Sequence, residues 1–312
     1  MNWNIFFLLS CGIVVSVFGI RIDASIPRRN FISFTLLSPL TMPTQANAKV
    51  TAPTQGEVDN YVESLRQDGG GEAGFVESLK REVFSSDEGY HLGRNFARLD
   101  ESPDRRFYDE PKFVEHIDKE AVALLTEFNT RIVGQSTDIL DVCASHVSHV
   151  NVNKSASLRN AVGVGMNEKE LSVNPLLTSS IVIDLNENPT LPTPILKGGD
   201  RRFDVALLQL SVDYLINPVE VLNSIASNLR PGGTLAISFS DRLFLDKAVG
   251  IWSGQDDFTH ILTVCGYFAM SETETKKWNM STLKPYVLSE GKGGKKDPLF
   301  AVTCQTKGPI AE

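Results

Sequence analysis

Short apolar runs that end in polar residues recur through the second half of the chain. Five of them cover residues 139–143, 161–165, 180–184, 203–209 and 234–240, and two more cover residues 281–287 and 299–304. Continuous apolar runs of this length are typical of strands that are buried on both faces of a parallel sheet. Helical patterns separate most of the runs, so the sequence predicts an α/β fold with a doubly wound sheet.

The helical patterns have start signals of their own. Asn217 precedes Pro218, which predicts a helix that begins there and buries a stripe extending to Leu229. Asn167 and Glu170 have the spacing of a capping box, in which each side chain bonds the other residue's backbone. Apolar spacing predicts further helices over residues 57–65, 74–84, 113–128 and 258–268. We expect the helix over residues 113–128 to pack at the sheet edge, where it could cover a ligand crevice.

The first 48 residues have the features of a targeting presequence. Residues 5–20 are almost entirely apolar but are shorter than the roughly 20 residues of a comfortable membrane span. Arg28 and Arg29 precede a second apolar run, and residues 46–48 have the small side chains that a signal peptidase recognises. This order is similar to the two-part presequence of plastid proteins sent to the thylakoid lumen by the twin-arginine route. The alternative is a single secretory signal or anchor followed by a linker.

Removal of this presequence would leave one large domain with an extension. We expect residues 49–130 to form a linker and a helical extension, residues 131–307 to form the α/β domain, and the mature chain to have no stable membrane span. The 312-residue chain has a formal net charge of −8, which argues against a general nucleic-acid surface. Its four cysteines match neither a metal motif nor a dense disulfide framework.

A set of short motifs occurs in the order expected of one enzyme family. They lie at residues 139–141, 163–164, 184–185, 203–205 and 229–234, with the Asn217-capped helix between the last two. Together they resemble the class I S-adenosylmethionine-dependent methyltransferases of the type 11 kind. Segments at residues 107–111, 141–145 and 163–167 further resemble a branch found in plastid-bearing and photosynthetic organisms.

The resemblance implies a Rossmann-like, seven-stranded, mostly parallel sheet whose last strand runs antiparallel. It also implies that S-adenosyl-L-methionine, the cofactor, lies across the carboxyl ends of the first four strands. The implied cofactor-binding residues follow those strand ends: Asp141, Cys143, Ala144 and Ser145 at the methionine part, Gly163, Met166 and Asn167 near the ribose and adenine, Asp184 and Leu185 at the adenine edge, and Gln209, Leu210 and Ser211 beneath the sulfonium.

Two features depart from the family pattern. Cys143, Ser145 and Val147 stand where the family's first loop has glycines, which allow a tight turn close to the cofactor. Gly165 stands where an acidic residue usually accepts hydrogen bonds from the ribose hydroxyls. Loss of such a charge-assisted acceptor costs about 1.5–3 kcal/mol, which is roughly a ten- to hundredfold loss of affinity. Glu168 is a nearby acid that could substitute, although its spacing differs.

Catalytic residues are less clearly indicated, because an activated methyl donor asks little of the protein. The site must align the acceptor and exclude water, and a base is needed only when the acceptor must lose a proton. Candidates are His116, His146 and His149 as bases and Tyr108, Tyr214 and Asp213 on the acceptor side, and for each of them an ordinary structural role is the alternative.

Three functions remain open from the sequence. The first is methyl transfer to a small-molecule or protein acceptor. The second is a non-catalytic binding or assembly module in the plastid that keeps the fold, and the altered loop and Gly165 favour it. The third is another nucleotide-binding enzyme such as a dehydrogenase, but Gly163 and Gly165 are not followed by the third glycine of that fingerprint.

Overall fold

The computed structural model of the protein describes residues 52–84, 96–154, 157–192, 195, 202–291 and 296–308. These residues belong to one compact unit. The targeting segment predicted over residues 1–48 lies outside the described residues. Among the helices that the structure does describe, none combines the length and the apolar character needed to cross a lipid bilayer.

A seven-stranded sheet forms the centre of the fold. Its strands are β1 (Asp138–Val142), β2 (Asn160–Gly165), β3 (Ser179–Val182), β4 (Phe203–Gln209), β5 (Leu229–Phe239), β6 (Trp278–Glu290) and β7 (Pro298–Thr306). Their order is β3-β2-β1-β4-β5-β7-β6, and β7 alone runs antiparallel to its neighbours. The predicted doubly wound, mostly parallel, Rossmann-like sheet is therefore confirmed. The direction of winding reverses between β1 and β4, and ligands bind at such points in open α/β sheets.

Helices and short helical turns complete the described fold. They are α1 (Gln55–Gly69), α2 (Glu72–Phe84), α3 (Asp104–Phe107), α4 (Lys119–Val133), α5 (Glu168–Val173), α6 (Pro218–Asn228) and α7 (Asp257–Thr275), with 3-10 turns at Val152–Lys154 and Val212–Tyr214. The predicted stripe on α6 is buried at Val221, Leu222, Ile225 and Ala226 and at Leu229, which follows the helix.

Alternate residues of β1 belong to different cores, because successive side chains of a strand point to opposite faces. Leu140 and Val142 lie in the large core that also contains residues of α1, α2, α6 and α7. Ile139 lies in a second core with Phe128 of α4. The central strand is thus buried on both faces, which explains why its sequence is a continuous apolar run rather than an alternating one.

The helix predicted over residues 113–128 begins six residues later than expected, at Lys119. Asp118 is its N-cap, and one carboxylate oxygen accepts hydrogen bonds from the backbone N–H groups of Glu120 and Ala121. Phe113, the first residue of the predicted stripe, is 53% exposed in the segment before the helix. The apolar spacing extends past the capping residue without interruption, so it does not mark where the helix begins. The segment that precedes α4 contacts the cavity described below.

Two predicted caps form only in part. The Asn167 side chain accepts hydrogen bonds from the backbone of Lys169 and Glu170, but the Glu170 side chain bonds other groups instead of returning to Asn167. Asn217 stands at the N-cap of α6, where its side chain makes no capping hydrogen bond. The capping box at α5 is incomplete because the buried Glu170 carboxylate lies near other hydrogen-bond donors and bonds to them instead.

Candidate ligand site

A cavity of about 310 Å³ opens at the carboxyl ends of β1, β2 and β4. This volume is at the lower end of the range of small-molecule sites, roughly 300–1,000 Å³. Every cofactor-binding residue implied by the sequence lines the cavity except Gly163. Tyr108, Tyr214 and the three candidate histidines also line it, whereas Asp213 is buried behind it.

Gly163 serves the packing of the sheet instead. It pairs with Asp141 in the register of β1 and β2. A Cβ atom added there would lie 2.3 Å from Leu177 Cδ1 and 3.3 Å from Ala144 Cβ. A larger residue would therefore push Leu177 and the loop after β1 outward.

The loop after β1 turns without the family's glycines. Cys143 adopts φ 58°, a left-handed conformation that costs a non-glycine residue about 1 kcal/mol or more. Ser145 and Val147 have no positive φ, so only one of the three substituted positions has the backbone conformation that favours glycine. The turn brings the Ala144 N–H to within 2.8 Å of the Val164 carbonyl oxygen, and the loop lies against the end of β2.

This loop explains the glycine at the end of β2. A Cβ atom at Gly165 would lie 2.2 Å from the Ala144 carbonyl oxygen, so no larger residue fits without moving that loop. The conformation of the loop after β1 and the glycine at residue 165 are therefore coupled. Glu168 is exposed and does not line the cavity, so the predicted substitute acid lies elsewhere.

Two carboxylates at the strand ends each have an unused oxygen. Asp141 is 1% exposed; Oδ1 accepts a hydrogen bond from Gln209 Nε2 at 3.0 Å, whereas Oδ2 has no partner among the described residues. Burial raises the pKa of Asp141 to about 6. Asp184 Oδ1 accepts the backbone N–H of Asn186, and within the described chain its Oδ2 is likewise unpartnered. The cavity thus presents unsatisfied negative groups to a ligand.

Asp213 is a further buried carboxyl group, close to Cys143 in the loop after β1. Its Oδ2 also has no hydrogen-bond partner in the part of the chain that the structure describes, and burial raises its pKa to about 7. These carboxyl groups also affect the pKa of the nearby Cys143 thiol. Burial and then Asp141 and Asp213 raise the pKa of Cys143 to about 12, so this cysteine stays protonated and is a poor nucleophile.

Sequence reasoning missed a buried network on the opposite wall, centred on Asp104. Arg98 Nη1 donates to both carboxylate oxygens of Asp104, at 2.8 and 2.7 Å, and Asn186 Nδ2 donates at 2.7 Å. Lys247 Nζ lies 3.2 Å from Oδ1. Burial opposes ionisation, but the hydrogen bonds from Asn186 and Arg98 prevail and lower the pKa of Asp104. No sequence motif links these residues, because they come from widely separated loops.

A second missed feature is the attachment of the segment before α4. Glu170 Oε1 accepts the backbone N–H of Lys112 and Oε2 accepts the Ser145 hydroxyl, each at 2.6 Å. Asn167 Nδ2 donates to the carbonyl oxygens of Tyr108 and Asp109. These bonds hold residues 108–112 beside the loop after β1, so the segment is a fixed wall of the cavity.

The three candidate histidines differ in their surroundings within the cavity lining. His146 Nδ1 lies 3.1 Å from Ser145 Oγ, and His149 Nε2 lies 3.5 Å from Glu115 Oε2. Partial withdrawal from water lowers the pKa of both His116 and His149. No group of three or more histidine, cysteine, aspartate or glutamate side chains in the described ranges is arranged to hold a metal ion.

No protein-family model and no curated protein matches the sequence. Among solved structures, the chain is similar to the N-methyltransferase NodS from Bradyrhizobium japonicum WM9, at 12% identity and a TM-score of 0.39, over 61% of this chain and 98% of that one. It is also similar to an S-adenosylmethionine-dependent methyltransferase from Archaeoglobus fulgidus, at 12% identity and a TM-score of 0.43, over 60% and 94%.

A third similar structure is the 1,6-didemethyltoxoflavin-N1-methyltransferase of Burkholderia thailandensis with bound 1,6-didemethyltoxoflavin and S-adenosylhomocysteine. Its identity to this chain is 14% and the TM-score is 0.41, over 61% of this chain and 80% of that one. At such values these likenesses assign neither a reaction nor a ligand to this protein.

Proposed function

We propose that this protein binds S-adenosyl-L-methionine in the cavity and supports transfer of its methyl group to a small-molecule or protein acceptor. The observation that carries the proposal is the pair of unpartnered carboxylate oxygens, Asp141 Oδ2 and Asp184 Oδ2, in a cavity at the winding reversal of the sheet. Buried acceptors without partners are costly, and a ligand with cationic or hydrogen-bond donor groups would remove that cost.

The donor set suits this cofactor at its two ends. Asp141 would pair with the ammonium group of the methionine part, and Gln209 holds Asp141 in place because Asn129 Nδ2 in turn fixes the Gln209 amide oxygen at 2.7 Å. Asp184 would accept a hydrogen bond from the adenine end, beside the apolar side chain of Leu185. When bound, the cofactor supplies a methyl group already activated on a sulfonium.

The alternative is a binding or assembly module that keeps the fold without the reaction. The Ala144 carbonyl oxygen next to Gly165 favours it, because this arrangement leaves the ribose end without a carboxylate. Loss of that acceptor weakens binding by roughly ten- to hundredfold, which is a reduction rather than an abolition of affinity. The methyltransferase proposal therefore predicts weaker nucleoside binding than a complete site would give.

Calorimetry on the full-length protein with S-adenosylhomocysteine distinguishes the two functions. Binding at micromolar ligand supports the enzyme, and no heat at millimolar ligand supports the module. Asp141→Asn should weaken binding by at least about 30-fold, because removal of one partner from a buried charge pair is costly. Asp257→Asn is the matched control, since Asp257 has a raised pKa of about 6 but does not line the cavity. Binding of NADH instead would support a different nucleotide enzyme.

We also propose that residues 1–48 deliver the protein to a plastid, with the thylakoid lumen as the final destination. The order of apolar core, arginine pair, second apolar run and small residues supports this address. A reporter fused to residues 1–55 should enter plastids, and replacement of Arg28 and Arg29 by lysine should stop transfer into the lumen. A reporter that enters the secretory pathway would contradict the proposal.

A further inference from the structure

Aromatic rings converge on one side of the cavity mouth. The centroid of the Phe244 ring lies 5.1 Å from that of Phe107, 5.4 Å from His116 and 6.1 Å from Tyr214. The Phe244 backbone N–H donates a hydrogen bond to Tyr214 Oη at 2.9 Å, which fixes the loop that follows β5. We call these four residues the aromatic wall; Phe244, His116 and Tyr214 line the cavity, whereas Phe107 packs against Phe244 outside the lining.

Part of the aromatic wall and the lining beside it are accessible and apolar. Phe244 is 36% exposed and Val114 is 55% exposed, although both line the cavity. Large exposed apolar side chains at a cavity mouth indicate a binding surface for an apolar group. The wall therefore differs in character from the acidic floor formed by Asp141 and Asp184.

Carboxylates outnumber basic side chains in the described lining, which contains Asp104, Glu115, Asp141, Glu170 and Asp184. Lys112 and Arg242 are the only lysine and arginine residues among the described residues of the lining. Lys112 Nζ donates to the Phe107 carbonyl oxygen and lies 4.2 Å from the centroid of the Phe107 ring. Arg242 Nε donates to Asp297 Oδ1 at 2.6 Å. An uncharged acceptor fits this lining better than a carboxylate or a phosphate.

His116 supplies one polar contact within the wall. Its ring packs on Phe244, and in the described part of the chain no hydrogen bond to either of its ring nitrogens is found. Partial withdrawal from water lowers the pKa of His116, so the imidazole is neutral near pH 7 and has one nitrogen that accepts a hydrogen bond. His146 and His149 already lie beside Ser145 and Glu115.

We propose that the acceptor is an uncharged aromatic alcohol whose ring packs against Phe244 and whose hydroxyl group donates a hydrogen bond to His116. This inference rests on the proposed methyl transfer and names its substrate class. Contact between aromatic rings adds roughly three- to tenfold to affinity beyond the burial of area. A hydroxyl hydrogen bond adds a similar factor.

Three probes of similar size test the two contacts separately. They are 1-naphthol, its saturated analogue decahydro-1-naphthol, and 1-fluoronaphthalene, which lacks the donor. Dissociation constants are measured by ligand-observed NMR on the full-length protein, with and without saturating S-adenosylhomocysteine. We expect 1-naphthol to bind at least three times more tightly than either analogue. Equal affinity for 1-naphthol and decahydro-1-naphthol in both conditions would overturn the proposal.

Matched variants assign the contacts to residues. Phe244→Leu should abolish the preference for 1-naphthol over decahydro-1-naphthol, whereas Phe258→Leu should keep it, because the Phe258 ring contacts Tyr61 away from the cavity. His116→Phe should abolish only the preference over 1-fluoronaphthalene, and His260→Phe should keep both preferences, because His260 does not line the cavity. The reverse pattern for either pair would overturn the assignment, and melting temperatures verify that each variant is folded.

The outcome separates this inference from the proposed function. Binding of S-adenosylhomocysteine without any preference for 1-naphthol would refute the acceptor class alone. A preference for 1-naphthol that follows Phe244 and His116, in a protein that does not bind the nucleoside, would refute methyl transfer and leave an aromatic-alcohol binding site.

Discussion

Asp104 and Asp141 line the same cavity and are only 5% and 1% exposed, but their carboxylates differ in how many hydrogen bonds they accept. Asp104 has a partner for each oxygen, including Arg98 and Asn186, and its pKa is lowered. Among the described residues, Asp141 Oδ1 accepts a hydrogen bond from Gln209 and Oδ2 has no hydrogen-bond partner; burial raises the pKa of Asp141 to about 6, against the opposing effect of the nearby Ser148 hydroxyl. Hydrogen bonds within the fold occupy both oxygens of Asp104, whereas one oxygen of Asp141 remains available to a ligand.

The difference follows from where each residue lies in the chain. Asp104 begins a short helix between loops, so its side chain must connect Arg98, Asn186 and Lys247 for those loops to have one arrangement. Asp141 lies in the central strand, where parallel pairing with Gly163 and Leu207 already fixes its backbone. The sheet therefore holds Asp141 without the help of its side chain, and the carboxylate can remain unpaired at the cavity.

The largest expected effect is the loss of stability when the charge on Asp104 is removed. Asp104→Asn leaves Arg98 without its buried anion, although Lys247 keeps Asp100 at 3.0 Å, and breaking a buried ion pair in this way costs about 3–5 kcal/mol. Urea unfolding measures the loss. Glu101→Gln is the control, because Glu101 is exposed and lies 3.7 Å from Arg98, so its change should stay within about 1 kcal/mol. Equal stability of both variants would remove the structural role assigned to Asp104.

The buried carboxyl group of Asp213 makes the stability of the protein depend on pH. Its folded-state pKa of about 7 is above the unfolded value, so its contribution to stability is complete below about pH 4 and is lost as the pH rises through 7. The lowered pKa of Asp104 gives the opposite sign, with stability present above about pH 4 and lost as the pH falls below it. Free energies of unfolding from pH 5 to 8 should therefore decline less in Asp213→Asn than in the wild type, by about 2 kcal/mol.

An unchanged pH profile in Asp213→Asn would show that its buried carboxyl group is not the titrating one. The histidines do not confuse the comparison, because their lowered pKa values affect stability in the acidic part of the range and are common to both proteins. The difference between the two profiles isolates Asp213.

Replacement of Asp141 should change stability and ligand binding in opposite directions. Asp141→Asn removes a buried charge whose pKa is raised, so the variant should be more stable than the wild type by about 1–2 kcal/mol at pH 8. The same change should weaken S-adenosylhomocysteine binding by at least about 30-fold. Urea unfolding and calorimetry on one preparation test both directions, and a variant that loses stability would place Asp141 with Asp104 as a structural residue.

The strands could be predicted because burial on both faces leaves a direct record in the sequence. The fourth apolar run, Phe203–Gln209, is the observed strand residue for residue. The helix before the sheet was misplaced because apolar spacing from Phe113 to Phe128 passes through Asp118, whose capping role depends on a local backbone turn. Periodicity reports which face is apolar but not where a helix begins.

The strand-end residues of the site could be expected from the family resemblance, and all of them except Gly163 line one cavity. The Asp104 network could not, because Arg98, Asn186 and Lys247 are brought to Asp104 only by the folded loops. The family pattern predicts an acid at residue 165, but a larger residue there would collide with the Ala144 carbonyl oxygen, in a segment about 20 residues away in the chain. Short motifs carry no record of such contacts.

The smallest expected effect concerns Cys143, in the loop that follows Asp141 and β1. Cys143→Gly and Cys143→Ala both remove the thiol, but only glycine adopts φ 58° without strain. The glycine variant should therefore be the more stable of the two by about 1 kcal/mol, even though glycine has the greater entropy in the unfolded chain. Urea unfolding of the pair measures this difference directly. If alanine were equally stable, the loop would relax without cost, and the position of the Ala144 carbonyl oxygen against Gly165 would not be enforced by the turn at Cys143.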